Sequence, residues 1–266
     1  MAYVPFAVWH SVERFFETPH DRPPKYAFMI TVYLDESRQE DRNSYMVLAG
    51  FWGKKEQWDA LVPDWIVGLG KRKSLHMNTL RLNSRTGAKR AEKILGILGS
   101  LPRKHGLTPI YGAVKTGDYL DIVASTPQER KWSGYAVCLT AVIQKLSVTV
   151  PSNESIKIVC EDQLKYEDLA RRAFGQVRIA VSRPERAYFS GIEFIAKNSS
   201  VLTQPSDFLA FAVAHYHENR RSHKSILCKS ILGPEPETYG LTLRRDRIRT
   251  ILSKWKAIKG PQWDKP

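Results

Sequence analysis

The chain of 266 residues carries 41 Lys and Arg against 27 Asp and Glu, a formal charge of +14, with 42% hydrophobic and 11% aromatic residues. That length and composition suffice for a full hydrophobic core and exclude wholesale disorder. No run reaches the ~20 apolar residues of a membrane helix, and His10, Glu13, Arg14 and Glu17 spoil the N-terminus as a signal peptide.

Cys138, Cys160 and Cys228 are widely separated, which suggests neither a disulfide framework nor a zinc knuckle and leaves the cytoplasm as the expected compartment. The cationic excess favours a polyanion, and its clustering favours nucleic acid over mere solubility. From Gly240 to Pro266 eight Lys and Arg stand against Asp246 and Asp264, with Trp255 and Trp263 between them. Aromatic rings among cations suit stacking on unpaired bases. Leu241, Ile248, Ile251, Leu252 and Trp255 keep helical spacing, so this helix is expected to dock an apolar face on the core and turn its cations outward.

In chain order, Tyr26 to Leu34 reads as a strand buried on both faces, being nearly all apolar and rich in β-branched and aromatic residues. A polar loop and a second strand, Ser44 to Gly53, complete a hairpin. Trp58, Leu61, Val62, Trp65, Ile66 and Leu69 predict a helix over 54–70 despite Pro63. A second helix is expected over 88–101, then a strand over 107–115 and a long helix over 128–147. A strand over 156–160, a helix over 166–176, a strand over 188–195, a helix over 204–219 and the basic helix follow. The order predicts an α/β fold with one mixed five-stranded sheet flanked by helices, a single domain over 1–266, and a helical insertion over 54–101.

The chemistry-bearing residues are carboxylates at the ends of buried elements. Asp35 and Glu36 leave the first strand, Glu161 and Asp162 leave the fourth, Asp207 lies in the first turn of the helix opened by Gln204-Pro205-Ser206, and Glu129 begins the long helix. Taken singly, each has a plain structural reading as a turn starter, a partner of a helix dipole or a surface residue. Taken together, Asp35, Asp162 and Asp207 come from three elements. If the first and fourth strands are neighbours, their like charges repel. Mg²⁺ or Mn²⁺, which prefer oxygen ligands, relieve that repulsion, and paired ions can drive in-line phosphoryl displacement.

The string Asp35-Glu36-Ser37, the Leu75-His76 pair, Glu161-Asp162 after a strand, and Gln204…Asp207-Phe208-Leu209-Ala210 together resemble the family called domain of unknown function 3800. The resemblance spans about residues 26 to 217. The family often has Gly after its Asp-Glu-Ser, where this chain has Arg38. That family is in turn similar to the ribonuclease H-like nucleases and integrases. The resemblance implies a ribonuclease H-like sheet, with acids at Asp35, Glu129, Asp162 and Asp207. It also implies a role for His76, either as a proton shuttle or on the scissile phosphate.

The leading expectation is a metal-dependent nuclease acting on RNA or DNA. Asp35, Asp162 and Asp207 bind Mg²⁺ or Mn²⁺, and Glu36, Glu161 or Glu129 supplies a further oxygen. Ser37, Arg38, Gln204, Arg244 and Arg245 are expected to contact substrate. The alternatives are a nucleic-acid-binding protein that has lost catalysis, and a small-substrate phosphatase or nucleotidase. His215 and His217 differ by two helix positions, do not share a face, and are expected at the surface.

Overall fold

The computed structural model describes residues 28–37, 41–72, 74, 76–77, 85–122, 127–161, 167–181, 186–196, 199–218 and 236–258, with backbone alone at 85–91, 127–133, 236–237, 218 and 254–258. Six strands form one sheet in the order β5-β4-β1-β2-β3-β6. They are β1 (Phe28–Ser37), β2 (Tyr45–Lys54), β3 (Thr108–Lys115), β4 (Glu154–Glu161), β5 (Tyr188–Ile195) and β6 (Gly240–Leu243). β2 runs antiparallel to β1 and β3, while β4 runs parallel to β1 and β5, and β6 parallel to β3. The C-terminal ends of β1, β3, β4, β5 and β6 therefore share one edge of the sheet.

Helices cover both faces. They are α1 (Lys55–Leu69), α2 (Arg85–Leu98), α3 (Leu101–Lys104), α4 (Thr116–Ile122), α5 (Pro127–Thr149), α6 (Glu167–Val181), α7 (Gln204–Glu218) and α8 (Arg245–Ile258). Strand alternation divides the core in two. Ile30, Val32 and Leu34 of β1, with Ile156, Ile158 and Cys160 of β4, pack under α5, α6 and α8. Val47, Ala49 and Phe51 of β2, with Tyr111 and Ala113 of β3, pack under α1 and α7. In α1 the buried Trp58, Leu61, Trp65 and Leu69 fall three and four residues apart. Pro63 is tolerated on the exposed side of that helix.

The sheet has one strand more than the sequence predicts. Gly240 to Leu243, expected as the start of the basic helix, instead extends alongside β3, and α8 begins at Arg245. Four residues are too few for their period to announce a strand. The pairing depends on Gly240, where a Cβ would lie 2.4 Å from the Tyr111 ring. The docking expected of the basic helix does occur, through Ile248 and Ile251, both buried in the α5-side core. The short α4 has no counterpart among the expected elements.

The N-terminal turn of α7 sits directly on β1 and β2. The Ser206 hydroxyl, fully buried, donates to the Tyr33 carbonyl at 2.8 Å. A Cβ on Gly50 would lie 1.7 Å from that same carbonyl and 2.9 Å from Ser206 Oγ. Only glycine leaves room for the approach. Gly50→Ala is expected to lower the unfolding free energy by about 1–3 kcal/mol through overpacking, and Ser206→Ala by about 1 kcal/mol through the lost hydrogen bond. Urea denaturation checks both, and a wild-type midpoint for Gly50→Ala would show that this contact has slack.

Candidate active site

The seating of α7 brings its first turn beside the end of β1. On β1, Tyr33 and Asp35 share the α7 face, because Leu34 between them points into the α5-side core. On β4, Glu161 follows Cys160, which also faces α5, so Glu161 shares the α7 face. Leu34 pairs with Cys160 in register, so Asp35 and Glu161 stand level on adjacent strands, their backbones roughly 4.8 Å apart. Both are buried, at 7% and 5% exposure. Asp207 reaches the same neighbourhood from α7.

Burial is the first cause that pushes the Asp35 carboxyl well above the usual carboxylate range, and the charges of Glu36, Asp207 and Glu161 push it further. Against these stands one hydrogen bond, from the Glu36 backbone N–H to Asp35 Oδ1 at 2.8 Å. Three acids, from β1, β4 and α7, therefore act on the Asp35 carboxyl. Among the described residues, no three His, Cys, Asp or Glu side chains come close enough to ring a single ion.

Asp207 is held from the other side by the segment after α1. Its Oδ2 accepts the Met77 backbone N–H at 2.8 Å and lies 3.5 Å from His76 Nδ1. The expected proximity of His76 to the acids is therefore met at Asp207. Gln204 lies elsewhere than a substrate contact requires: it is buried, and its side-chain carbonyl accepts from Trp65 Nε1 at 3.2 Å. That bond ties α1 to the start of α7.

The remaining candidates divide. Ser37 ends β1, two residues beyond Asp35. Glu129 belongs to the first turn of α5, at the acid-bearing sheet edge, and its side chain lies outside the described residues, as do Asp162 and Arg38. Glu161, the other acid expected at the end of β4, is among the described residues. The strand runs through Glu161, paired with Ile195 of β5, and so turns Glu161 inward beside Asp35. Arg244 and Arg245 follow β6, three strands from β1, or roughly 14 Å along the same edge. Arg245 is already engaged, its Nε on Asp118 at 2.8 Å and its terminal nitrogen on Asp121 at 2.6 Å. Arg42, in the β1–β2 loop, also pairs with Asp121. These arginines, Arg42 foremost, hold the Asp121 carboxyl below the usual carboxylate range.

Sequence reasoning missed Tyr135 and Cys160, which are buried behind β1 on the α5 face. Burial pushes the Cys160 thiol up to about 12, with Glu36 and Asp35 adding to the shift and a Tyr135 hydrogen bond opposing it. Burial also drives the Tyr135 hydroxyl well up. Both groups stay neutral and so do not offset the acids. A tyrosine inside an apolar helix and a cysteine in an apolar strand give no signal of this in the sequence.

No family model matches the chain, and no curated protein does. Among solved structures, it is similar to one described as "Crystal structure of Bst-RNase HIII in complex with Mn2+". The two share 13% identity over 89% of this chain and 76% of that one, at a TM-score of 0.44, a level from which nothing about this chain is taken.

The Asp35 shift has a stability consequence. A carboxyl whose pKa is raised on folding contributes stability that is fully present below its unfolded value, 3.8, and lost as pH rises through the folded value. Without metal, wild-type stability is expected to fall across that window, by about 1.4 kcal/mol per unit separating the two values. Asp35→Asn is expected to flatten the fall and to be the more stable protein at neutral pH. Urea titrations in chelator over a pH series read both, and an unchanged slope in Asp35→Asn removes Asp35 as its source.

Proposed function

We propose that the chain is a divalent-metal-dependent nuclease of ribonuclease H-like fold that hydrolyses phosphodiester bonds in RNA or DNA. The observation that carries the reading is the surrounding of Asp35 at one sheet edge, where burial and the charges of Glu36, Asp207 and Glu161, from β1, α7 and β4, push its carboxyl well above the usual carboxylate range. Carboxylates that repel one another in a buried place are costly to keep. An all-oxygen donor set suits Mg²⁺ or Mn²⁺. Asp35 and Asp207, with Asp162 after the end of β4, would hold the ion. When bound, such an ion lowers the pKa of a coordinated water and stabilises developing charge on phosphate oxygens.

The chain's own residues supply the rest. Burial of Asp35 and Glu161 keeps water from screening their charges. The Met77 N–H and the Ser206 seat fix Asp207 against β1. In hydrolysis the water oxygen bonds to phosphorus, the ester P–O bond breaks, and the leaving oxygen takes a proton. His76, beside Asp207, would move that proton. The cations along the edge towards β6 face the flanking phosphates.

Labelled single- and double-stranded RNA and DNA, incubated with Mg²⁺, Mn²⁺ or EDTA, test the reading. Cleavage is expected only with metal, and Asp35→Asn, Asp162→Asn and Asp207→Asn are each expected to fall to the EDTA background while remaining folded. His76→Ala is expected to lose roughly 100-fold or more in turnover with binding retained. Binding without cleavage of any substrate would favour the non-catalytic nucleic-acid-binding protein, and wild-type turnover by Asp35→Asn would remove it from the site.

A further inference from the structure

The acid-bearing edge carries a second cluster, on the same face of the sheet. β2 begins at Tyr45 and β3 ends at Lys115, and the two are register partners. Tyr111 and Ala113, four and two residues before Lys115, belong to the α7-side core, so alternation puts Lys115 and its partner Tyr45 on that face. Leu243 pairs with Val114, which sets Arg244 level with Lys115. Tyr45, Lys115 and Arg244 thus form one row across β2, β3 and the end of β6, which are neighbours in the sheet.

The last turn of α7 lies over this row. The His217 ring stacks on Tyr45, with centroids 4.8 Å apart and planes 28° from parallel. Tyr216 and Tyr111 meet His217 edge-on at 5.4 and 6.2 Å. His217 Nε2 is 3.1 Å from the hydroxyl of Thr242, an exposed residue on β6. Tyr45, His217 and Lys115 are half-buried and Arg244 is exposed. Arg42 and Arg245 nearby are neutralised by Asp118 and Asp121. Lys115 and Arg244 form no ion pair among the described residues.

Tyr45 lies four residues along β2 from Ala49, the register partner of Asp35, which is roughly 13 Å. That span is about four stacked nucleotides at ~3.4 Å each. Partly exposed rings beside cations are what an unpaired strand requires, since a base in a duplex is already stacked on both faces.

We propose that Tyr45, His217, Lys115 and Arg244 form a subsite for a single-stranded stretch of nucleic acid, the rings taking a base and the two cations its flanking phosphates. The subsite rests on the nuclease reading for its place on the substrate path, and its test does not depend on cleavage. The full chain is titrated, in EDTA, against a fluorescein-labelled single-stranded oligonucleotide over a salt series, with anisotropy as the readout. Tyr45→Ala is expected to weaken binding about ten-fold with the salt slope unchanged, and Tyr45→Phe, which keeps the ring, to bind as wild type. Lys115→Gln and Arg244→Gln, at positions where folding is not at stake, are each expected to reduce the logarithmic slope by about 0.7. The affinity of a duplex of the same sequence is expected to be unaffected by Tyr45→Ala. Wild-type slopes in both cation variants, or equal losses on single strand and duplex, would overturn the subsite. Loss of cleavage in Asp35→Asn with this binding pattern intact supports both readings, and the binding pattern without metal-dependent cleavage keeps the subsite while removing the nuclease.

Discussion

The contact on which the site depends is the one between the first turn of α7 and the middle of β1 and β2. At Gly50 the two layers approach more closely than any side chain allows, and Ser206 fixes the approach with a hydrogen bond to the Tyr33 carbonyl. Asp207 follows Ser206, and Asp35 lies two residues beyond Tyr33. A hydrogen bond between groups with no charge of their own therefore holds two carboxylates close enough to repel. The helix and strand they sit on are anchored by cores that the charges do not enter, so the repulsion has no easy relief by movement.

Behind β1, Tyr135 and Cys160 are buried and stay protonated. In front, Asp207 receives a backbone N–H and a neighbouring imidazole. Elsewhere the chain pairs its charges readily: Asp121 has two arginines, and Asp64 has Lys104 and His105. A buried carboxyl perturbed by several acidic neighbours is the pattern expected of a functional site.

The helical segment after β2 contributes to the site more than its description as an insertion suggests. Trp65 of α1 bonds Gln204 and packs edge-on against Phe208, with centroids 5.3 Å apart, which braces α7 from the side away from the sheet. The chain then returns past Asp207 through His76 and Met77, the latter buried. The same helix face that sequence periodicity marks as core-forming thus also fixes where the carboxylate stands.

Local pattern in the sequence was enough for the strands, the long helices and the acids that end them, because burial on a strand or helix imposes a period that survives in one dimension. Asp35, Glu36, Glu161 and Asp207 were legible as acids at the boundaries of apolar runs. That Glu161 still belongs to the strand and turns inward was not, since only its pairing with Ile195 of β5 sets the face. The sixth strand was hidden for a related reason: four residues gain their conformation from β3, not from their own pattern. The roles of Gln204 and Arg245, read from sequence as substrate contacts, were decided by partners 139 and 127 residues away, Trp65 and Asp118. The row of Tyr45, Lys115 and Arg244 likewise exists only once β2, β3 and β6 are laid side by side.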